Sequence, residues 1–355
     1  MDNSMKINQL VRKNIRELVP YSSARDEYSG SASVFMDANE NPHNNPLSRY
    51  PDPRQTALKK MISGIRGQQV ENLFLGNGSD EGIDLLFRVL CEPGIDNVIT
   101  VDPTYGMYAV CARINNVEQK SVLLKKDFSL DADAVVDAVD QRTKMIFLCS
   151  PNNPSSNALD RDAVLRIIDG VNCMVVLDEA YIDFSQREGF LPLVPEKRNL
   201  AVLQTLSKAW GLAGIRLGMV FAHQDLIRYL SNVKYPYNLN TLTLDLALKS
   251  ISAQSSREIW VKQILEERTY LEERLDSLTF VKKIFPSDAN FLLVRMENPV
   301  DVYDFLMKRG IIVRDRSSVP LCDGCLRITV GTESENLLLY DALIAYDQSM
   351  KKPTS

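Results

Sequence analysis

The sequence predicts an α/β layered fold: a large domain with a mostly parallel central sheet and helices on both faces, then a smaller α+β domain. Three observations carry this. Short, nearly continuous apolar runs recur between about residues 55 and 240, as expected for strands buried on both faces. Helical patterns separate them; Ile83, Leu86, Phe87 and Leu90 are spaced i, i+3, i+4, i+7. After about residue 240 this alternation gives way to a long helical stretch and a second set of strands.

Residues 1–50 read as an arm with one short helix and loops rich in Asn and Pro, expected to serve the small domain and the active site. Residues 51–240 hold the large domain. Its strand candidates are "NLFLG", "NVITV", "VEQKSVLL", "KMIFLCS", "MVVLDEA", "AVLQTLS" and "GMVFAH". Residues 241–278 read as one connecting helix, with Trp260, Ile264, Leu271, Leu275 and Leu278 as its apolar stripe and Glu/Arg pairs on its wet face. Residues 279–355 form the small domain: "FVKKIF", "NFLLVRM", the helix "VDVYDFLMKRG", "IIVRD", "CLRITVG" and a last helix from Glu333.

Composition narrows the function classes. The chain has 355 residues, 45% of them hydrophobic, enough for a large core. Its 41 basic and 46 acidic residues give a net charge of −5, which argues against nucleic-acid binding by the whole surface. A local pocket for an anion remains open. No apolar run approaches the roughly 18 to 20 residues that span a bilayer. The N-terminus lacks the apolar core of a signal peptide. A cytoplasmic protein without a membrane partner is expected. The two histidines, His43 and His223, belong to no catalytic or metal motif and read as structural or solvated. Cys322 and Cys325 form a lone C-x-x-C with no second pair or nearby histidine, so they read as ordinary thiols at a turn and no metal is expected.

Open parallel sheets bind ligands at the carboxyl ends of their strands, and four such ends carry unusual chemistry. In "LGNGSDEGIDLL", Gly76 and Gly78 free the backbone while Ser79 and Asp80 open a helix whose positive end suits an anion. In "CSPNNPSSN", Asn153 ends an apolar run before a proline. Asp178 closes the run "CMVVL", where a carboxylate calls for a cationic partner, and Tyr181 follows three residues later. Lys208 ends "AVLQTLS", with Thr205, Ser207 and Arg216 around it. Each feature alone has a bland reading as a turn or a solvated charge. Pyridoxal 5′-phosphate asks for all four at once. Its aldehyde needs a lysine amine, its pyridine nitrogen a carboxylate, its ring oxygen neutral donors, and its phosphate a helix N-terminus with hydroxyls and an arginine.

In that order along the chain, the motifs resemble the fold-type-I pyridoxal-phosphate aminotransferases. The likeness runs through "LVRKNIRELVPYSSARDE", "DANENP", "RYPDP", "GNGSDEGIDLL", "DPTYGMY", "SPNNP", "DEAYIDF", "TLSKAWGLAGIRLG", "GIIVRD" and "CLRITVGT". The arm, "RYPDP" and the two C-terminal arginine motifs narrow it to the branch that acts on histidinol phosphate. The resemblance implies that Lys208 bonds the cofactor and shuttles a proton, and that Asp178 pairs with the pyridine nitrogen. Tyr181 and Asn153 would bond the ring oxygen, and Tyr105 would stack on the ring. The amides of Ser79 and Asp80, with Thr205, Ser207 and Arg216, would hold the phosphate. Tyr50 would reach that phosphate from the other subunit of a homodimer. Arg327, helped by Arg314 and Tyr21, would bind the substrate anion, a phosphate in histidinol phosphate and a carboxylate in glutamate or 2-oxoglutarate. An aminotransferase for aromatic amino acids and a decarboxylase of phosphorylated substrates share these residues and are the near alternatives; a noncatalytic cofactor or nucleotide binder is the distant one. One departure is the segment Asn153–Ser156, "NPSS" where the family often has N-P-T-G. It removes a glycine's backbone freedom and leaves the geometry of that loop open.

Overall fold

A computed structural model describes residues 7–22, 33–43 and 47–351. The last residues of the arm motif, Ser23 to Glu27, lie outside the described residues.

The seven strand candidates form seven strands: β1 (Leu73–Asn77), β2 (Asn97–Asp102), β3 (Glu118–Leu123), β4 (Thr143–Cys149), β5 (Met174–Asp178), β6 (Leu200–Thr205) and β7 (Leu217–Ala222). They make one sheet in the order β1-β7-β6-β5-β4-β2-β3. Only β7 runs against the others. Helices cover both faces. On one side α3 (Thr56–Arg66), α6 (Ala132–Asp137), α7 (Arg161–Gly170) and α9 (Thr241–Ser252) pack over Val175, Leu177, Val202 and their neighbours. On the other, α4 (Gly78–Leu90), α5 (Met107–Ile114) and α8 (Gln224–Val233) pack over Met174, Val176, Ala201 and Leu203. Ile83, Leu86, Phe87 and Leu90 are all fully buried, so the apolar stripe of α4 is the face seated on the sheet.

The arm differs from expectation. It holds two one-turn helices, α1 (Ile7–Leu10) and α2 (Lys13–Arg16). They pack on the large domain, not the small one. Ile7, Val11 and Ile15 are buried in the cluster that contains α4 and α8. Arg12 donates its amide to Val89 O at 3.0 Å and pairs with Glu92. The spacing of those three apolar residues gives a stripe that seats against these two helices.

The expected single helix over 241–278 is two: α9 and α10 (Gln254–Asp276), with Ala253 out of helical geometry between them at ψ 43. Serines explain the break. Ser252 Oγ bonds back to Leu248 O at 2.9 Å and competes with the helical ladder. The two pieces also bury faces in different places, α9 against α3 and α10 against the second sheet. Of the expected stripe, Leu271 and Leu275 are fully buried, Leu278 is buried beyond the helix end, and Trp260 is 47% exposed. That second sheet is antiparallel, in the order β10 (Arg314–Asp315), β11 (Cys325–Thr329), β9 (Phe291–Met296), β8 (Val281–Ile284). It packs with α10, α11 (Pro299–Met307) and α12 (Glu333–Lys351).

Candidate active site

The carboxyl ends of β1, β5 and β6, with the turns after β2 and β4, open on one cleft of about 160 Å³. Every expected cofactor residue except Tyr50 lines it. Larger grooves lie elsewhere on the surface.

One end of the cleft is built for a compact anion. Gly78 begins α4 at φ +72°, a conformation that favours glycine. A Cβ there would stand 2.6 Å from Arg216 Nη2. Gly218 on β7 is equally constrained, since its Cβ would stand 2.1 Å from the Ser79 amide nitrogen. The two glycines let the start of α4 approach the β6–β7 connection. Arg216 itself is held at φ 55°, with its carbonyl accepting the Gly78 amide at 2.9 Å. The first amides of α4 have no acceptor within the helix and carry its positive pole. Thr205 Oγ1 lies 3.0 Å from Ser207 Oγ. Arg216 pairs with the Asp80 side chain at 3.3 Å, and the Tyr105 hydroxyl donates to the same carboxylate at 3.1 Å.

Strand alternation places the acid. Asp178 follows Met174 and Val176 on the face covered by α5. There the Tyr108 hydroxyl donates to Asp178 Oδ2 at 2.7 Å, and the Ala180 amide donates to Oδ1 at 3.0 Å. Asp178 is 3% exposed, and burial raises its carboxyl pKa against the pull of these two donors. The cationic partner expected for it is not an amino-acid side chain: among the described residues no salt bridge reaches it, and Lys208 exerts only a weaker, longer-range pull. Lys208 lies across the cleft, its Nζ 5.4 Å from the centre of the Tyr181 ring. Burial lowers its ammonium pKa, Arg327 lowers it further, and Asp178 and Asp80 oppose the shift. Tyr181 is buried, edge-on to Phe291 at 5.1 Å.

The second sheet closes the other end. Arg327 on β11 donates from Nη1 to Asn153 Oδ1 at 2.6 Å, which leaves the Asn153 amide nitrogen for another acceptor. Arg314 sits directly opposite Arg327 on β10. Ser156, in the altered segment, keeps φ +67° although it is not glycine. Its carbonyl accepts the Asp288 amide at 2.8 Å and its hydroxyl donates to Pro286 O at 3.2 Å. The turn therefore survives the loss of glycine, tied to the β8–β9 connection.

Arg314 and Arg327 do not line the cleft themselves, and Tyr21 and Tyr50 lie in other grooves. Tyr21 is 74% exposed and lines a separate groove with Lys59, Arg228 and Lys234. Tyr50 stacks on Tyr237 at 4.5 Å beside a groove lined by Leu47 and Leu242. His43 lies in a loop, and His223 caps α8 by accepting the Asp225 amide at 3.2 Å. Cys322 and Cys325 are buried free thiols, and burial pushes the Cys322 thiol up to about 12. Sequence reasoning missed Tyr108. Its signal was the second tyrosine of "DPTYGMY", one helical turn beyond Tyr105 and on the buried face of α5.

A buried carboxylate with no cationic side chain, a desolvated lysine facing it and an anion cradle that a Cβ would fill together fit pyridoxal phosphate. The fold and site thus define a pyridoxal-phosphate-dependent transaminase. The family Aminotransferase class I and II matches residues 26–343. The histidinol-phosphate aminotransferase of Bacteroides fragilis is 53% identical over 341 residues, covering 96% of this chain and 99% of that protein. The enzyme of the same name from Cytophaga hutchinsonii is 47% identical over 97% of this chain and 100% of its own length. The chain belongs to the histidinol-phosphate aminotransferase family within the class I and II aminotransferases. Solved structures share the fold. The Sinorhizobium meliloti histidinol-phosphate aminotransferase in complex with pyridoxal 5′-phosphate has a TM-score of 0.79 at 23% identity, covering 86% of this chain and 84% of that one. The L-threonine-O-3-phosphate decarboxylase of Porphyromonas gingivalis has a TM-score of 0.71 at 22% identity, covering 84% and 92%.

Proposed function

We propose that this chain transfers the amino group of histidinol phosphate to 2-oxoglutarate, giving imidazole-acetol phosphate and glutamate, a step of histidine biosynthesis that runs toward histidinol phosphate in the cell. The observation that carries the reading is the pairing of a desolvated lysine, Lys208, with the buried carboxylate of Asp178 across one cleft, with Arg327 bonded to Asn153 of its wall. The names of relatives at about half identity support the substrate.

When bound, pyridoxal phosphate supplies an electron sink for the pair of electrons left at the substrate Cα. The protein supplies the rest. The amides of Ser79 and Asp80, the hydroxyls of Thr205 and Ser207 and the Arg216 guanidinium hold the cofactor phosphate. Asp178 holds a proton on the pyridine nitrogen, and Tyr108 fixes the carboxylate that does so. Asn153 and Tyr181 would donate to the ring oxygen, and Tyr105 would cover the ring. Lys208 would bond the cofactor. Burial and Arg327 lower its pKa, which favours the neutral amine that would take the proton from Cα and return it at C4′. Arg327, with Arg314, holds the substrate phosphate in one half-reaction and a carboxylate in the other.

The enzyme works as a cytoplasmic homodimer in this proposal. A second copy covers the groove where the exposed apolar side chains of Leu47 and Leu242 lie beside Tyr50. Tyr50 on that face serves the partner's cofactor phosphate, and Tyr21 helps Arg327 and Arg314 bind the substrate anion. Mixing Lys208→Ala with Tyr50→Phe chains tests the exchange. In the hybrid dimer one site carries both lesions and the other carries neither, so activity above that of either parent is expected; no recovery overturns the shared site.

The direct test is a single-turnover spectrum of the cofactor-loaded protein. Histidinol phosphate should abolish the absorption band of lysine-bound cofactor, and 2-oxoglutarate should restore it. A band that ignores histidinol phosphate and answers an aromatic amino acid moves the substrate while keeping the chemistry. Lys208→Ala should lose turnover by at least about a thousandfold, since nucleophile and base go together.

A further inference from the structure

Three guanidinium groups sit near one another on the second sheet, beside the cleft. Arg314 and Arg327 stand directly opposite each other on β10 and β11. The Arg316 amide bonds Cys325 O at 2.9 Å, which extends that ladder by one more pair. Side chains alternate along a strand and opposed residues share a face, so Arg314, Arg316 and Arg327 project from one side of the sheet. Arg327 reaches Asn153, and Arg316 and Arg327 both bear electrostatically on Tyr181 in the cleft.

Nothing among the described residues neutralises them. Among the described residues no carboxylate forms a salt bridge with any of the three. Arg327 bonds a neutral amide. Among the described residues Arg316 donates no side-chain hydrogen bond, and its Nε is buried without a partner. Burial, Arg327 and Arg314 all act against the charge of Arg316, while its neighbour Asp315 is the weakest influence on it. A buried guanidinium donor without an acceptor is costly. One carboxylate satisfies one fork; a phosphate monoester brings two charges and three outward oxygens.

We propose that Arg316 is a specificity-determining residue that binds the substrate's dianionic phosphate and distinguishes it from the single carboxylate of the other half-reaction. The inference rests on the histidinol phosphate reading. Arg327 serves both substrates, and Arg316 adds a contact that only the larger, doubly charged group can use.

The test uses the cofactor-loaded enzyme, Arg316→Gln and Arg316→Lys. For Arg316→Gln the KM for histidinol phosphate should rise about tenfold, the loss expected when one charge-assisted hydrogen bond goes, with kcat little changed. The half-reaction with glutamate should change by less than about twofold. Arg316→Lys, which keeps the charge and loses the fork, should recover part of the loss. Equal losses with both substrates, or no change with either, overturn the proposal. Calorimetry with methyl phosphate, which has no amine to react, separates this from the substrate assignment. If histidinol phosphate is not turned over but methyl phosphate binds the wild type about tenfold more tightly than Arg316→Gln, the assignment falls and Arg316 keeps its role. If both proteins bind methyl phosphate alike, the role of Arg316 falls whatever the substrate.

Discussion

The hydrogen bond from Tyr108 to Asp178 joins a fully buried phenol to a fully buried acid, and it favours the charged form of that acid. Tyr108→Phe removes the donor without changing the ring's stack on Phe147. The Asp178 carboxyl pKa then rises further, and the variant should bind cofactor more weakly and turn over about tenfold more slowly. A pH titration of the bound cofactor's absorption checks this, because loss of packing alone would not move its midpoint. Ser156 offers a second case. Its left-handed backbone costs about 1 kcal/mol and its hydroxyl bonds return about as much. Ser156→Ala should therefore lose about 1 kcal/mol in urea unfolding, and Ser156→Gly should stay within about 0.5 kcal/mol of wild type. Lys208, Asp178 and the phosphate-end residues were legible in the sequence because each follows a buried apolar run. Tyr108 and Arg316 were not, because what matters about them is a partner, present or missing, far along the chain.

Gly218 sets how close two elements come. Its missing side chain lets β7 touch the first turn of α4, and a Cβ would meet backbone atoms that cannot swing aside. Gly218→Ala should push the helix start outward and weaken cofactor binding by at least about tenfold, measured by equilibrium dialysis. The loss should exceed that of any single hydroxyl at the same end. Strand runs were readable since six largely apolar segments correspond to buried strands, while the polar edge strand β3 shows only its flanking Val117 and Leu124 as buried anchors. The helix over 241–278 was misjudged because periodicity continues across Ala253 while backbone geometry does not. The arm was misjudged because its three apolar residues do not say which groove they fit, and the groove between α4 and α8 exists only after folding.

Across the whole molecule, stability carries a pH signature from a group outside the chemistry. Glu179 points from the end of β5 to the opposite face from Asp178. It accepts the Phe190 amide and the Gln204 side chain. Burial raises its pKa from 4.5 to about 7. The folded state therefore binds more protons than the unfolded chain between those values, so this group's contribution falls as pH rises from about 4.5 to about 7 and is constant above. The loss is on the order of 3 kcal/mol. Urea unfolding of wild type and Glu179→Gln at pH 5 and pH 8 isolates it: the variant should gain relative to wild type at the higher pH. The anion end of the cleft has a different global consequence. It is assembled from the start of α4, the end of β6 and Arg216 before β7, segments far apart in the chain that meet only when folded. A dianion lodged there acts as a removable rivet across the sheet. Inorganic phosphate alone, with no cofactor chemistry, should raise the melting temperature of the cofactor-free protein, and the rise should grow with the logarithm of its concentration.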